Sequence, residues 1–206
     1  MFNYIKKRFG HWTPRYIYNR IGLFINEKLH PDWPWLTKDA VLLLNQLLKN
    51  EDIGLEFGSG RSTIWFAKRI KKLISIEHDN NWFEFVKTKL KKENINNVDY
   101  YLKSETDYLN ILNNIDNNSI DFVLVDGLRR DEVSKLVLPK IKNGGILIID
   151  NINWFIPSNS YSPSSKRNNN FESEIWREVW LAIKNFRKVW TTNGVTDTLI
   201  VLKYEE

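Results

Sequence analysis

The chain has no cysteine among its 206 residues, which excludes disulfide bridges and thiolate metal sites. It has three histidines, His11, His30 and His78. They are too far apart in the chain to suggest a histidine metal site, and none has an evident triad partner, so each reads as structural or surface. No segment approaches the roughly 18–20 apolar residues that a membrane span needs. The start, Met1-Phe2-Asn3-Tyr4-Ile5-Lys6-Lys7-Arg8, lacks the charged-then-apolar order of a secretory signal. Cytoplasm is the expected compartment, and the missing cysteines fit it. Internal repeats and a second domain are also missing.

What is present is the composition of a packed globular protein. Hydrophobic residues make up 42% and aromatics 14%, more apolar matter than a disordered chain carries. The length fits one domain able to bury a large core. Nine tryptophans are many, and several fall outside any regular apolar stripe; those are candidates for a binding surface, although packing is the commoner use. The net charge of +5 is concentrated at the start, where residues 1–34 carry six basic residues against two acidic ones. This basic aromatic arm suits nucleic acid, anionic lipid or an acidic substrate. The plainer reading, which we favour, is a solvated extension whose aromatics pack on the domain.

After the arm, Pro31-Asp32-Trp33-Pro34 is a turn-rich break, and residues 35–206 form the domain. Thr37 is placed to cap a helix with Val41, Leu42, Leu44, Leu47 and Leu48, apolar nearly all round and therefore buried. A regular alternation follows. Strands are expected at Ile53–Phe57, Leu73–Glu77, Val98–Leu102 and Ile120–Val125, and at Ile146–Ile149 after Gly144-Gly145. Helices are expected at Arg61–Ile70, after an Asp79 or Asn80 cap with Phe83, Val86 and Leu90 on one face, near Thr106–Leu112, and around Val133, Leu136 and Val137. Ile175, Val179, Ala182 and Phe186 mark a last amphipathic helix, and Val189–Thr192 and Thr198–Leu202 pair around Asn193-Gly194. Alternating strands and helices specify a doubly wound α/β fold with a parallel sheet. The C-terminal antiparallel pair makes it a particular variant: seven strands, Rossmann-like, mostly parallel.

In such sheets ligands bind beyond the carboxyl ends of the strands. The first strand ends in Glu56-Phe57-Gly58-Ser59-Gly60-Arg61-Ser62-Thr63. Gly58 and Gly60 permit a sharp turn and close backbone approach, and a helix start follows with free N–H groups. Glu56 puts a carboxylate at the strand end, suited to the ammonium of a bound amino acid. Glu77 ends the second strand at the distance usual for a carboxylate that receives both hydroxyls of a ribose, with His78 and Asp79 beside it at the adenine side.

Leu55–Gly60, Ile74–Glu77, Ile120–Gly127 and Gly144–Asn151 together resemble the ordered motifs of the class I S-adenosylmethionine-dependent methyltransferases. The resemblance covers residues 52 to about 202. It implies S-adenosylmethionine as cofactor, held by Glu56, Gly58, Ser59, Gly60, Ser62, Thr63, Glu77, His78 and Asp126, and methyl transfer to O, N, C or S. A nicotinamide enzyme on the same fold needs a third glycine where this chain has Thr63.

Asp126 ends the fourth strand and Asp150-Asn151 the fifth. They resemble the pattern of metal-dependent O-methyltransferases of the catechol and caffeoyl-CoA type. That likeness implies Asp126, Asp150 and Asn151 as ligands of Mg²⁺ or another divalent cation, which acidifies a bound hydroxyl. Trp154 also resembles that family's aromatic after Asp-Asn. Asp126, Asp150 and Arg129 are the catalytic candidates. The catechol-type pattern carries a lysine where this chain has Arg129, and an arginine stays protonated, so Arg129 or Arg130 suits an anionic acceptor or solvent instead of acting as a base. A metal and a metal-free site both remain open.

Residues 151–171 show no periodicity and read as an acceptor-side lid, with Trp154, Phe155, Tyr161, Lys166 and Arg167 as contacts. The expected function is O-methylation of a small-molecule or glycan-type acceptor. Two alternatives stand beside it: an RNA (ribose) or protein methyltransferase using the basic arm, and a non-catalytic cofactor-binding scaffold. Base methylation is disfavoured because Asp126-Gly127-Leu128-Arg129 lacks the Pro-Pro tetrapeptide such enzymes carry. The sequence holds no signal of oligomeric state.

Overall fold

A computed structural model describes residues 12–204. Seven strands, β1 (Ile53–Phe57), β2 (Lys72–Glu77), β3 (Val98–Leu102), β4 (Ile120–Val125), β5 (Ile141–Asp150), β6 (Arg187–Thr192) and β7 (Asp197–Leu202), form one sheet in the order β3-β2-β1-β4-β5-β7-β6. The pairings β3·β2, β2·β1, β1·β4 and β4·β5 are parallel, whereas β7 runs antiparallel to both β5 and β6. The order reverses between β1 and β4, so the ends of those strands form the switch point where such sheets bind ligands.

Among the described residues there are six α-helices: α1 (Pro14–Leu29), α2 (Lys38–Leu47), α3 (Arg61–Ala67), α4 (Asn80–Lys92), α5 (Arg130–Val137) and α6 (Glu174–Ala182). The two-residue period of the strands divides the core between two faces. Val123 and Val125 of β4 join Val133, Val137, Trp176 and Val179 on one side. Phe122 and Leu124 join Ala40, Leu44, Trp65 and Phe66 on the other. The one acid within β4, Asp121, accepts from the Ile53 N–H at 2.8 Å and pairs with Lys142 at 2.7 Å. Trp176 is 2% exposed, so its truncation to Ala costs about 3–5 kcal/mol.

Several sequence expectations need correction. Gly144-Gly145 lies inside β5, which starts at Ile141, with a shift of its pairing with β4 between Ile120 and Phe122. The helix from Arg61 stops at Ala67, short of Ile70. Residues 105–114 form turns and a short 3₁₀ segment, Asn110–Asn114, in place of a helix. On α2 the buried residues are Ala40, Val41 and Leu44 while Leu42 is exposed, because only one side meets the sheet. Leu136 of α5 faces solvent. The buried stripe of α6 is Trp176, Val179 and Ile183; Ala182 is exposed, a rotation of one position from the expected stripe.

The arm holds a helix that the sequence reading passed over. Thr13 accepts from the Tyr16 N–H at 3.2 Å and Pro14 opens the first turn, the usual start signals. Yet α1 buries none of its residues, and Tyr18, Phe24 and Leu29 are exposed. Its aromatics are therefore not packed into the domain as expected. Lys6, Lys7 and Arg8 lie outside the described residues. Among the described residues no helix is long and apolar enough to cross a membrane.

Candidate functional site

The β1–α3 turn owes its shape to two glycines. Gly58 has φ +94°, and a Cβ there would lie 2.6 Å from the backbone of Gly127. A Cβ on Gly127 would in turn meet the Tyr108 hydroxyl at 2.0 Å. Only glycines allow the loops after β1 and β4 to touch in this way. They bound an open cleft of about 700 Å³ lined by Gly58, Ser59, Glu77, His78, Asp126 and Gly127 and, from α4, by Asn81, Trp82 and Phe85.

Glu77 sits in the cleft wall, 3% exposed. One carboxylate oxygen accepts from the Ser59 N–H at 3.0 Å and the Ser59 hydroxyl at 2.8 Å. The other accepts from the N–H groups of His78 and Asp79 at 2.8 and 3.0 Å. Asp79 also caps α4 by accepting from the Trp82 N–H at 2.7 Å. The Trp82 indole N–H donates to the Ser59 carbonyl at 2.7 Å, which fixes a flat apolar wall opposite Gly58. The sequence reading missed Trp82 and Phe85; their i, i+3 spacing, off the Val86–Leu90 core stripe, was the available signal.

Glu56 lies beneath this cleft, fully buried. Its Oε2 accepts from Thr63 and Ser75 hydroxyls, both at 2.6 Å, and Thr63 Oγ1 accepts from the Gly60 N–H at 2.9 Å. Its Oε1 is sealed from solvent, and the Ser62 hydroxyl lies close enough to the carboxyl to lower its pKa. Burial raises its pKa to about 7, with the Asp126 charge adding to the rise. Thr63 and Ser62 are buried with it and so shape the turn from below, apart from the cleft lining.

The ends of β4 and β5 are organised by Arg130. Its guanidinium pairs with the Asp126 carboxylate at 2.8 Å. It also donates to the carbonyls of Asp126, Gly127 and Asp150 at 2.7, 3.0 and 2.8 Å, and to Asn151 Oδ1 at 2.9 Å. Asn151 donates through Nδ2 to Thr196 at 2.5 Å. The Asp150 carboxyl is turned to β7, where Thr198 donates to it at 2.7 Å. Burial, then the neighbouring Asp126 charge, raises its pKa to about 8. Arg129 has a left-handed backbone, φ 49°, and forks onto Glu132 at 2.8 and 2.5 Å. That fork directs it away from the cluster, and Arg130 is the arginine that meets the strand-end carboxylates.

The three expected metal ligands are thus brought together, but around a cation the chain supplies itself. Hard divalent cations need several free oxygens. Here Asp126 and Asn151 are engaged by Arg130, and Asp150 is spent on Thr198. Among the described residues no group of three His, Cys, Asp or Glu side chains is placed to hold a metal. A divalent cation does not fit this arrangement.

Residues 151–171 open with a short 3₁₀ segment, Ile152–Trp154, and are otherwise irregular but pinned by hydrogen bonds. Asn153 donates to the Pro163 carbonyl and Ser165 hydroxyl at 3.1 Å each, and Ser162 donates to Asp197 at 2.5 Å. Of the five expected contacts, Phe155 stacks on Trp176 with centroids 5.0 Å apart, Lys166 pairs with Glu172, and Arg167 donates to the carbonyls of Ser158 and Ser160. Tyr161 is exposed under the Arg15 guanidinium, 4.2 Å from its ring centroid. Trp154 alone reaches a cavity near the strand ends.

This cleft at the switch point, with its glycine turn and strand-end carboxylate, is what a nucleoside-bearing cofactor requires of the fold. Residues 55–152 match the family model described as a methyltransferase domain. The chain is 32% identical over 93 residues to the 23S rRNA (uracil(1939)-C(5))-methyltransferase RlmD of Legionella pneumophila (strain Lens), a stretch covering 44% of this chain and 20% of that protein. Among solved structures, the O-methyltransferase TomG of Streptomyces achromogenes in complex with SAM is similar at TM-score 0.59 and 19% identity, covering 88% of this chain and 89% of that one. The O-methyltransferase of Bacillus cereus in complex with SAH is similar at TM-score 0.59 and 15% identity, covering 90% of each. At these identities the structural likeness speaks for the fold. The matched stretch is just under half of the chain, and together with the seven-stranded sheet it makes this chain similar in domain and fold to the class I S-adenosylmethionine-dependent methyltransferases.

Proposed function

We propose that the domain transfers a methyl group from S-adenosylmethionine to an oxygen of a small acceptor, without a metal. The observation that carries this is the Arg130 hub: the place of a metal cation is held by a guanidinium that leaves Asp126 in the cleft wall. When bound, the cofactor supplies an electrophilic sulfonium methyl. Glu77 receives the ribose hydroxyls, exchanging its Ser59 partner for them, and Trp82 with Phe85 flanks the adenine beside His78 and Asp79. The Gly58–Gly60 turn accommodates the ammonium end, with Ser62 and Thr63 holding that turn in place and Glu56 beneath it anchoring Thr63.

Asp126 would take the proton of the acceptor hydroxyl, and bound S-adenosylmethionine would supply the methyl group to that oxygen and keep the C–S electron pair as a neutral thioether. Arg130 keeps Asp126 oriented and stabilises its ionised form, and Asp150 remains a buried acid behind it. The similarity to an rRNA methyltransferase favours an RNA acceptor as the second reading. Transfer of tritiated methyl from S-adenosylmethionine, run with hydroxylated ring acids and with total RNA and with EDTA in parallel, separates the two. Label in the small acceptors, unchanged by EDTA, is expected. Label in RNA alone, or activity that requires Mg²⁺, contradicts the proposal.

A further inference from the structure

A second cavity, of about 200 Å³, lies between α1, the turn leading to α2, and the β6–β7 connection. Its walls include three indoles, Trp33, Trp35 and Trp154, and Arg61 of the cofactor turn. Two donors on this lining are sealed from solvent and have no acceptor: Nη1 of Arg61 and Nδ2 of Asn193. Buried donors are seldom left unpaired in folded proteins. Asn193 cannot relieve its own by turning over, because its Oδ1 accepts from the Val195 and Thr196 N–H groups, each at 2.9 Å. The Arg61 guanidinium lies 5.0 Å from the Trp35 ring centroid. Trp35 in turn stacks against Trp82 at 6.2 Å, so the cavity and the cofactor cleft share an aromatic wall.

The chemistry of these groups selects a ligand. Indole faces accept a flat ring. A permanently charged guanidinium and an amide N–H₂, both without acceptors, call for an anionic oxygen group. The remaining charged lining residues are Arg20 and Glu27, so the cavity's formal charge favours an anion. Its volume suits a single substituted ring. We infer that this cavity is the acceptor site and takes a single ring bearing a carboxylate, which Arg61 and Asn193 receive while the ring lies among the indoles. This deepens the methyltransferase reading and rests on it for the word acceptor. It also accounts for α1, which buries nothing in the core but supplies Arg20 and Glu27 as one wall of the cavity.

Calorimetric titration of 3,4-dihydroxybenzoate, with catechol as the ring lacking a carboxylate, tests the inference in the presence of S-adenosylhomocysteine. The full chain is expected to bind the benzoate at least tenfold more tightly than catechol. Arg61→Gln should abolish that preference. Asn193→Asp keeps the acceptor that holds the turn and replaces the donor by an anion, so it should abolish or reverse the preference even where Arg61→Gln fails to fold. Equal affinity for the two probes overturns the inference. So does an Arg61→Gln protein that loses S-adenosylhomocysteine binding while keeping its benzoate affinity, since Arg61 would then serve the cofactor. The two readings fail separately: a wild-type chain that binds no S-adenosylhomocysteine sinks the proposed function, whereas loss of the carboxylate preference alone sinks the cavity's assignment.

Discussion

The two sides of the site solve one problem, a carboxylate at a strand end, in opposite ways. On the β1–β2 side Glu77 accepts from two N–H groups that follow it in the chain and from the N–H and hydroxyl of Ser59, with the His78 ring Nδ1 3.0 Å from it. On the β4–β5 side Asp126 and the neighbouring carbonyls are gathered by a single guanidinium. In the proposed reading, Glu77 exchanges its Ser59 partner for ligand hydroxyls. A guanidinium is permanently charged and rigid. It holds its partners in one arrangement and leaves no room for a second cation. The exchangeable side suits cofactor turnover; the fixed side suits alignment of a reaction.

The sharpest attempt to break this contrast is Arg130→Leu. It removes the ion pair and four further hydrogen bonds and leaves Asp126 without compensation near Asp150. Losing one partner of a largely buried pair costs about 3 kcal/mol, a fall in Tm of roughly 6–12 °C in a chain of this size, measurable by thermal melting. A loss near zero would mean the hub is ornamental. On the other side, Glu77→Ala should leave the fold intact and weaken S-adenosylhomocysteine binding roughly 10- to 100-fold, since charge-assisted hydrogen bonds are worth about 1.5–3 kcal/mol. Unchanged affinity by calorimetry would remove Glu77 from the site. Trp82→Ala should weaken the same binding by about 1 kcal/mol through lost ring contact, a smaller change than that of Glu77→Ala.

Asp150 sharpens the contrast through pH. Its pKa in the folded chain is raised from 3.8 to about 8, so the folded state keeps a proton that the unfolded state has already lost. Its contribution to stability is therefore fully present below about 4 and is lost as pH rises towards about 8. Asp150→Asn mimics the neutral acid and keeps the acceptor for Thr198. The difference in Tm between variant and wild type should grow in the variant's favour from pH 5 to pH 8. A constant difference would show that Asp150 is ionised throughout.

How much of this was legible beforehand follows from range. Strands with continuous apolar runs, such as Ile120–Val125, and local caps such as Thr37 and Asp79 declare themselves within a few residues, so the order of elements and the antiparallel ending were readable. The one-position error on α6 arose because Ile175, Val179, Ala182 and Phe186 keep helical spacing as well as the true Trp176–Val179–Ile183 stripe does, and only contact with β4 and α5 decides between them. At the site, Gly58, Glu77 and Asp126 were legible because their place at strand ends is set by topology. Arg130 was not distinguishable from Arg129, since the left-handed backbone at Arg129 that turns one arginine in and the other out is a three-dimensional event. The cavity was invisible for the same reason. Arg61 and Asn193 are 132 positions apart in the chain and meet only in the fold.

The proposed methyl transfer requires first that the cleft receive a nucleoside-bearing cofactor through Glu77. Calorimetric titration of S-adenosylhomocysteine into wild type and Glu77→Ala, each with and without Mg²⁺, tests this most directly. Micromolar binding by wild type, indifferent to Mg²⁺ and weakened at least tenfold by the substitution, is the predicted result. No binding by wild type at millimolar ligand, or binding that appears only with Mg²⁺, would contradict it.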